Sequence, residues 1–219
     1  MDYFREWVDM TGVTQAAFMN LRSFGLTIGQ AYQGGYYAGQ ISTAGNGVAD
    51  YNLVVAPKSS GQSNKLWKVN ITDTPNTASV IDGPTNSSNM NNADHPAAQF
   101  CEGLSIGGYS DWYLPALEEL AVCYIGLKPT TANNNTSSGI NDYSVPKRTS
   151  NYTTTDPGRT SATDFQDPNS EAFGASAYWS STSDGTSNAF IITFSSGQEI
   201  SLQKNASNYL TRAIRRVAV

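Results

Sequence analysis

Apolar positions along this chain change their spacing several times. In residues 1–24, Phe4, Trp7, Val8, Phe18, Leu21 and Phe24 recur at roughly helical spacing, with Gly12 as an interruption. So large an apolar face on so short a piece predicts docking, either on its own domain or on another chain. Gly25 to Gly29 form a joint. Residues 36–41 and 51–57 then read as two strands of an antiparallel hairpin around a loop holding Gly45, Asn46 and Gly47. Leu66, Trp67 and Val69 predict a short third strand. Residues 72–92 are polar, with Pro75, Gly83 and Pro84, and predict loop.

The spacing turns helical after that. Asp94 and Pro96 open a helix through Ala97, Ala98, Phe100, Cys101 and Leu104, which Gly103 and the Gly107-Gly108 pair end. A second helix starts at Pro115. Leu117, Leu120, Ala121 and Tyr124 are its inward stripe, and Pro129 stops it. Glu118 and Glu119 sit in its first turns, where the helix dipole favours carboxylates. Residues 130–176 are irregular, yet Tyr143, Tyr152, Phe165 and Phe173 predict partial packing. Alternation returns at Tyr178 and Trp179. Phe190, Ile192 and Phe194 share one face, Ser195-Ser196-Gly197 turns the chain, and Ile200 and Leu202 come back. Residues 211–219 form a closing strand. No internal repeat or second domain is visible.

Charge narrows the function classes. Only 14% of residues are charged, and the net charge is −5. An acidic chain without clustered Lys and Arg is a poor nucleic-acid binder. Arg212, Arg215 and Arg216 alternate with apolar residues and read as a strand. Asn, Ser, Thr, Gly and Tyr dominate instead, a surface typical of exposed particles, fibres and adhesins. No basic and apolar leader opens the chain, and no apolar run approaches the ~20 residues of a membrane span. The composition therefore leans toward an extracellular or virion surface, reached by a route other than a signal peptide. Cys101 and Cys123 read as small buried hydrophobes in helices that border one core, although a pairing stays open.

The order of motifs points to a family. It runs Cys101-x-x-Leu104, Gly107-Gly108-Tyr109-Ser110-Asp111-Trp112-Tyr113-Leu114-Pro115, a Glu119-Leu120 helix, Tyr178-Trp179-Ser180-Ser181-Thr182, a hairpin with Ser196-Gly197, and Arg212-x-x-Arg215-x-Val217. This resembles the DUF1566 (Lcl C-terminal) domain over about residues 28–219, with residues 1–27 as an attachment or oligomerisation segment. The resemblance implies an α+β, C-type-lectin-like fold with two helices, antiparallel strands and long loops. It also implies structural roles for Trp112, Leu114, Pro115, Trp179, Arg212 and Arg215. The closing strand would pair with the opening strand near Tyr36, and the loops between would form one ligand face. Upstream, Gly34-Gly35-Tyr36-Tyr37-Ala38-Gly39 and Asp94-His95-Pro96-Ala97-Ala98-Gln99-Phe100-Cys101 look like versions found in tailed-phage tail fibres.

Candidate chemistry is sparse. His95, the one histidine, lacks an identifiable nucleophile or orienting acid and reads as a residue at the start of a helix. Gln166-Asp167-Pro168 and Asp111-Trp112 depart from the calcium-sugar triplets of C-type lectins. Residues 183–188 offer oxygen ligands but read as a plain turn. The adjacent Glu118 and Glu119 do not make a glycosidase pair. No catalytic residue, cofactor or metal is expected. Recognition remains: Asn133, Asn134, Tyr152, Asp184, Asn188, Asn205, Asn208 and Tyr209 are of the types that binding loops favour. The expectation is a tail-fibre or tail-tip protein, a homotrimer held to other tail proteins through residues 1–24, that binds a host surface saccharide or protein without entering a membrane. The alternatives are a structural virion decoration and a bacterial adhesin module.

Overall fold

The computed structural model describes residues 25–207 and 209–219. The expected N-terminal helical segment and Asn208 lie outside them. The architecture is mixed, with few helices and two curled, largely antiparallel sheets.

The first sheet is built on the hairpin of β2 (Gly35–Ile41) and β3 (Tyr51–Val55), in register Tyr36↔Val55 to Ile41↔Tyr51. β1 (Ala31–Tyr32) and β5 (Ser144–Val145) add to β2. The register slips between Tyr37 and Gly39, and Gly39 has φ +140°. A Cβ there would lie 2.7 Å from Val122 Cγ1, so glycine is what allows the long helix to approach this strand. The second sheet runs β4 (Gln62–Lys65), β9 (Tyr209–Arg212), β6 (Ala177–Asp184), β7 (Asn188–Thr193), β8 (Gln198–Gln203). Its β6–β9 contact, Tyr178↔Leu210, is parallel.

The closing strand does not pair beside Tyr36. β10 (Ile214–Ala218) pairs with β3, Ile214↔Val55 to Ala218↔Tyr51, while β9 pairs with β4. One run of sequence therefore serves both sheets. The switch is at Ala213, fully buried, whose N–H donates to Gly61 O (3.0 Å) and whose carbonyl accepts from Ala56 N (2.9 Å).

Four α-helical segments occur among the described residues: α1 (Lys58–Gly61), α2 (Gly83–Asn89), α3 (Pro96–Glu102) and α4 (Leu117–Leu127). Two of these were expected. α2 falls in the segment read as loop, and the third strand is β4 rather than 66–69. Trp67 instead turns inward and donates its indole N–H to Ser180 O at 2.8 Å. α3 is preceded by His95 rather than Asp94 at the cap position.

The core is two clusters rather than one. The first surrounds α4, with Leu120, Tyr124, Phe173, Tyr178, Ile192 and Phe194. The second holds Trp67, Trp112, Leu114 and Trp179 against Ala97, Ala98 and Cys101 of α3. β7 divides them: Ile192 faces the first and Ile191 the second. Cys123 belongs to the first cluster and Cys101 to the second, and both are free thiols. Pro115 is buried at the start of α4.

Candidate functional site

The irregular segments are long, and each must settle its backbone polar groups without a strand or helix. The chain does this with its scarce cations, turned inward. Lys68 Nζ, on a 5% exposed residue, donates to Asp73 O (2.7 Å), Thr74 Oγ1 (3.0 Å) and Thr72 O (3.3 Å). Lys204 Nζ donates to Thr186 O (3.0 Å) and Gly185 O (3.1 Å), 4.9 Å above the Trp67 ring. Lys128 Nζ donates to Ala132 O and Asn134 Oδ1 (both 2.6 Å) and Pro157 O (3.2 Å). Burial, assisted at Lys204 by the charge of Lys68, pulls the last two ammonium groups below the ordinary lysine range. The ring of oxygen acceptors around each favours the charged form.

Arginines tie down the rest. Arg212, 1% exposed, donates through Nη1 to Glu171 O and through Nη2 to Glu171 Oε2 (both 2.7 Å), and through Nε to Ala56 O (3.0 Å), with its guanidinium 4.6 Å from the Phe173 ring. Arg215 grips Asp111 with both Nε (2.7 Å) and Nη2 (2.9 Å), donates to Gln33 O (3.1 Å) and stacks over Tyr109 at 3.8 Å. Asp111 is the partner that the buried Arg215 guanidinium requires. Arg216 bonds Glu119 Oε1 at 2.7 Å and the carbonyl of Ile81. Glu119 is therefore more than a dipole partner of α4. It is fully buried, accepts from Tyr113 OH and from the Ala116 amide (2.8 Å), and joins α4 to β10.

His95 shares hydrogen bonds with Thr74 Oγ1 (3.1 Å) and Asn92 Oδ1 (2.8 Å), and its ring meets Trp67 edge-on at 5.6 Å. Burial, then the charge of Lys68, brings its pKa down to about 4, so it stays neutral at ordinary pH. Among the described residues, no three His, Cys, Asp or Glu side chains gather as a metal site. In the 183–188 turn the Gly185 and Thr186 carbonyls accept from the Lys204 ammonium.

The residues expected to form one binding face do not meet. Asp184, Asn188 and Asn205 lie at one end of β7, where Asn188 pairs with Gln203 and the Lys204 amide bonds Ser187 O. Asn133 lies at the other end, where Asn135 N bonds Ser196 O. The two ends are separated by the six residues of β7, about 20 Å at strand rise. Asp184, Asn205 and Asn133 are exposed, and Asn188 is half-buried. Two members are internal and are not contact residues. Asn134 accepts from Tyr124 OH and Lys128 and donates to Thr153 O and Pro157 O. Tyr152, 2% exposed, packs against Tyr124 under the Arg148 guanidinium. Tyr209 packs edge-on against Trp179 at 5.2 Å.

One concavity went unread in the sequence. A groove of about 390 Å³ lies between β2, α4, the 144–148 segment and Thr160-Ser161. Its apolar lining includes Ile28, Ala38, Val122 and Ile125, and its polar lining includes Gln40, Lys147 and Arg148. Lys147 is exposed, while Arg148 pairs with Asp156 at 2.7 Å. An apolar lining with a few convergent polar groups is the usual makeup of a ligand site. No sequence signal marks it, because its walls come from five separate segments between Ile28 and Ser161.

Compared with known families, residues 60–215 match the Lcl C-terminal domain. The match begins in α1 and ends within β10. A search of curated proteins finds no match.

Proposed function

This chain belongs to the Lcl C-terminal domain family, and on that premise we propose that it is a recognition module of a tailed-phage tail fibre or tail tip. Its domain, of C-type-lectin-like kind, adsorbs to a host surface saccharide or protein. The observation that carries this reading is the internal pinning of the loops. Long irregular segments held from within by buried ammonium and guanidinium groups keep one shape before any ligand arrives. A loop that is already ordered loses little entropy on binding, which is what recognition by polar loops requires. The contact surface is the groove together with the exposed Asp184 and Asn205 and the half-buried Asn188 between them. Single contacts of this kind are weak, and several copies on one particle multiply them. Residues 1–24 supply the attachment to sister chains, a trimer, and to other tail proteins.

The test is adsorption of the full chain, at high surface density, to host cells and to purified envelope glycans. Saturable binding is expected, weakened about tenfold or more by Lys147→Glu combined with Asn188→Ala, in line with the loss of one or two polar contacts. No binding to cells or glycans would contradict the reading. No adsorption by the wild-type chain, together with unchanged infectivity of intact particles carrying the variant, would favour a decoration role.

A further inference from the structure

Four of the five buried side-chain atoms without a hydrogen-bond partner among the described residues belong to one cluster: Glu118 Oε2, Arg148 Nε, Tyr152 OH and Glu199 Oε1. Buried polar atoms in folded proteins are nearly always partnered, so such a concentration calls for a physical reason. The cluster lies where three elements meet. Glu118 is in the first turn of α4, Glu199 is on β8, and Arg148 and Tyr152 come from the irregular segment. The guanidinium of Arg148 stands 4.8 Å from the Tyr152 ring, and its Nη2 is committed to Asp156. No cation is bonded to either glutamate among the described residues.

The segment is clamped around this cluster. Tyr152 N bonds Ser138 O (2.8 Å), Ser138 Oγ accepts from Glu199 N (3.1 Å), and Asn141 Nδ2 donates to Glu118 O (2.9 Å). The same segment supplies Val145, Pro146, Lys147 and Arg148 to the groove wall.

We infer that Glu118 and Glu199 form a proton-dependent latch: while the pair retains a proton the 138–152 segment stays clamped to α4 and β8, and when both ionise it loosens and the groove wall moves. The facing groups support this. Burial, then the charge of Glu199, then that of Asp142, raise Glu118 to about 8. Burial raises Glu199 to about 7, with only the Gly139 amide acting the other way. Tyr152 is pushed up by burial and by Glu199, Tyr124 and Glu118 against Arg148, and stays protonated. Both carboxyl values lie above the unfolded one, so the clamped state binds more protons than the loosened state. Its stability is whole at acid pH and falls as pH rises from the ordinary carboxyl value of 4.5 through about 8.

The effect on ligand rests on the recognition reading above; the latch itself is tested without ligand. Trypsin cleavage of the full chain after Lys147 and Arg148 is measured at acid-side and alkaline-side pH around the two values and normalised to a free peptide of residues 138–156. Cleavage should rise about tenfold, the factor carried by one pKa unit of differential proton binding, and the rise should vanish in Glu118→Gln with Glu199→Gln, which mimic the protonated groups. Equal normalised cleavage at both pH values, or a rise that persists in the double variant, would overturn the latch. Should that variant fail to fold, carboxyl-carbon titration of the wild type decides. Two midpoints near neutrality support the latch, and midpoints in the ordinary carboxylate range sink it. A working latch with no adsorption would remove only the recognition reading.

Discussion

Lys204 shows what a single side chain does here. Its ammonium gathers the Gly185 and Thr186 carbonyls and sits over Trp67, so one residue joins the β6–β7 turn to the segment that follows β4. Lys204→Met keeps the length and removes the donor. It should cost about 1–3 kcal/mol, the penalty for stranding buried acceptors, seen as a lower denaturation midpoint with unchanged slope. Because an ammonium already occupies those carbonyls, calcium or a chelator should leave that midpoint where it is. His95 adds a pH signature. Its pKa falls from 6.5 unfolded to about 4 folded, so its contribution is whole above 6.5 and lost as pH falls toward 4. Denaturation of His95→Gln should therefore show a flatter acid limb than the wild type. These roles were hidden in the sequence. An isolated lysine between Gln203 and Asn205 reads as solvated, and only the fold brings the Gly185, Thr186 and Thr72 carbonyls to it. The tryptophans are different: the family resemblance implied structural roles for Trp112 and Trp179, and the structure has them 1% and 0% exposed.

At the scale of elements, apolar runs and stripes marked β2, β3, β7, β8 and α4 in the sequence. Alternation did not show that β3 and β7 bury side chains on both faces, Val54 and Ile191 toward one core cluster and Leu53, Val55 and Ile192 toward the other. β4 is polar throughout, Gln62-Ser63-Asn64-Lys65, because it is a sheet edge with one partner, β9. Trp67, just beyond it, drew the expected strand away. α2, Gly83–Asn89, contains no strong helix former. Tertiary bonds make it: Asp82 caps the Thr85 amide, Ser87 Oγ accepts from Leu114 N (3.0 Å), and Asn86 Nδ2 donates to Ser79 O (2.6 Å). The β7–β8 turn is the opposite case, legible as Ser-Ser-Gly. Gly197 has φ +68°, and a Cβ there would fall 2.2 Å from Tyr124 Cε1. Gly197→Ala should destabilise by more than about 1 kcal/mol, since strain and overlap add, and calorimetry of the variant checks it.

For the whole molecule, the decisive feature is that one run, residues 209–218, serves two sheets. Arg212 and Arg215 anchor that run from opposite sides, to Glu171 and to Asp111. Pairing of β10 with β3 rather than β2 could not be read from the sequence, because both partners carry similar alternation and only the three-dimensional order selects between them. Arg212→Leu leaves the buried Glu171 carboxylate without its cation and should cost about 3–5 kcal/mol; both sheets should melt together, as they share one chain crossing. The central claim is that the irregular segments are rigid before they meet anything. Hydrogen exchange of the full chain in chelator, without ligand, tests it most directly. The amides of Asn134, Tyr152, Thr160 and Lys204 should be protected close to the level of the β6–β7 strands. Exchange at those four positions as fast as in a free peptide would contradict it.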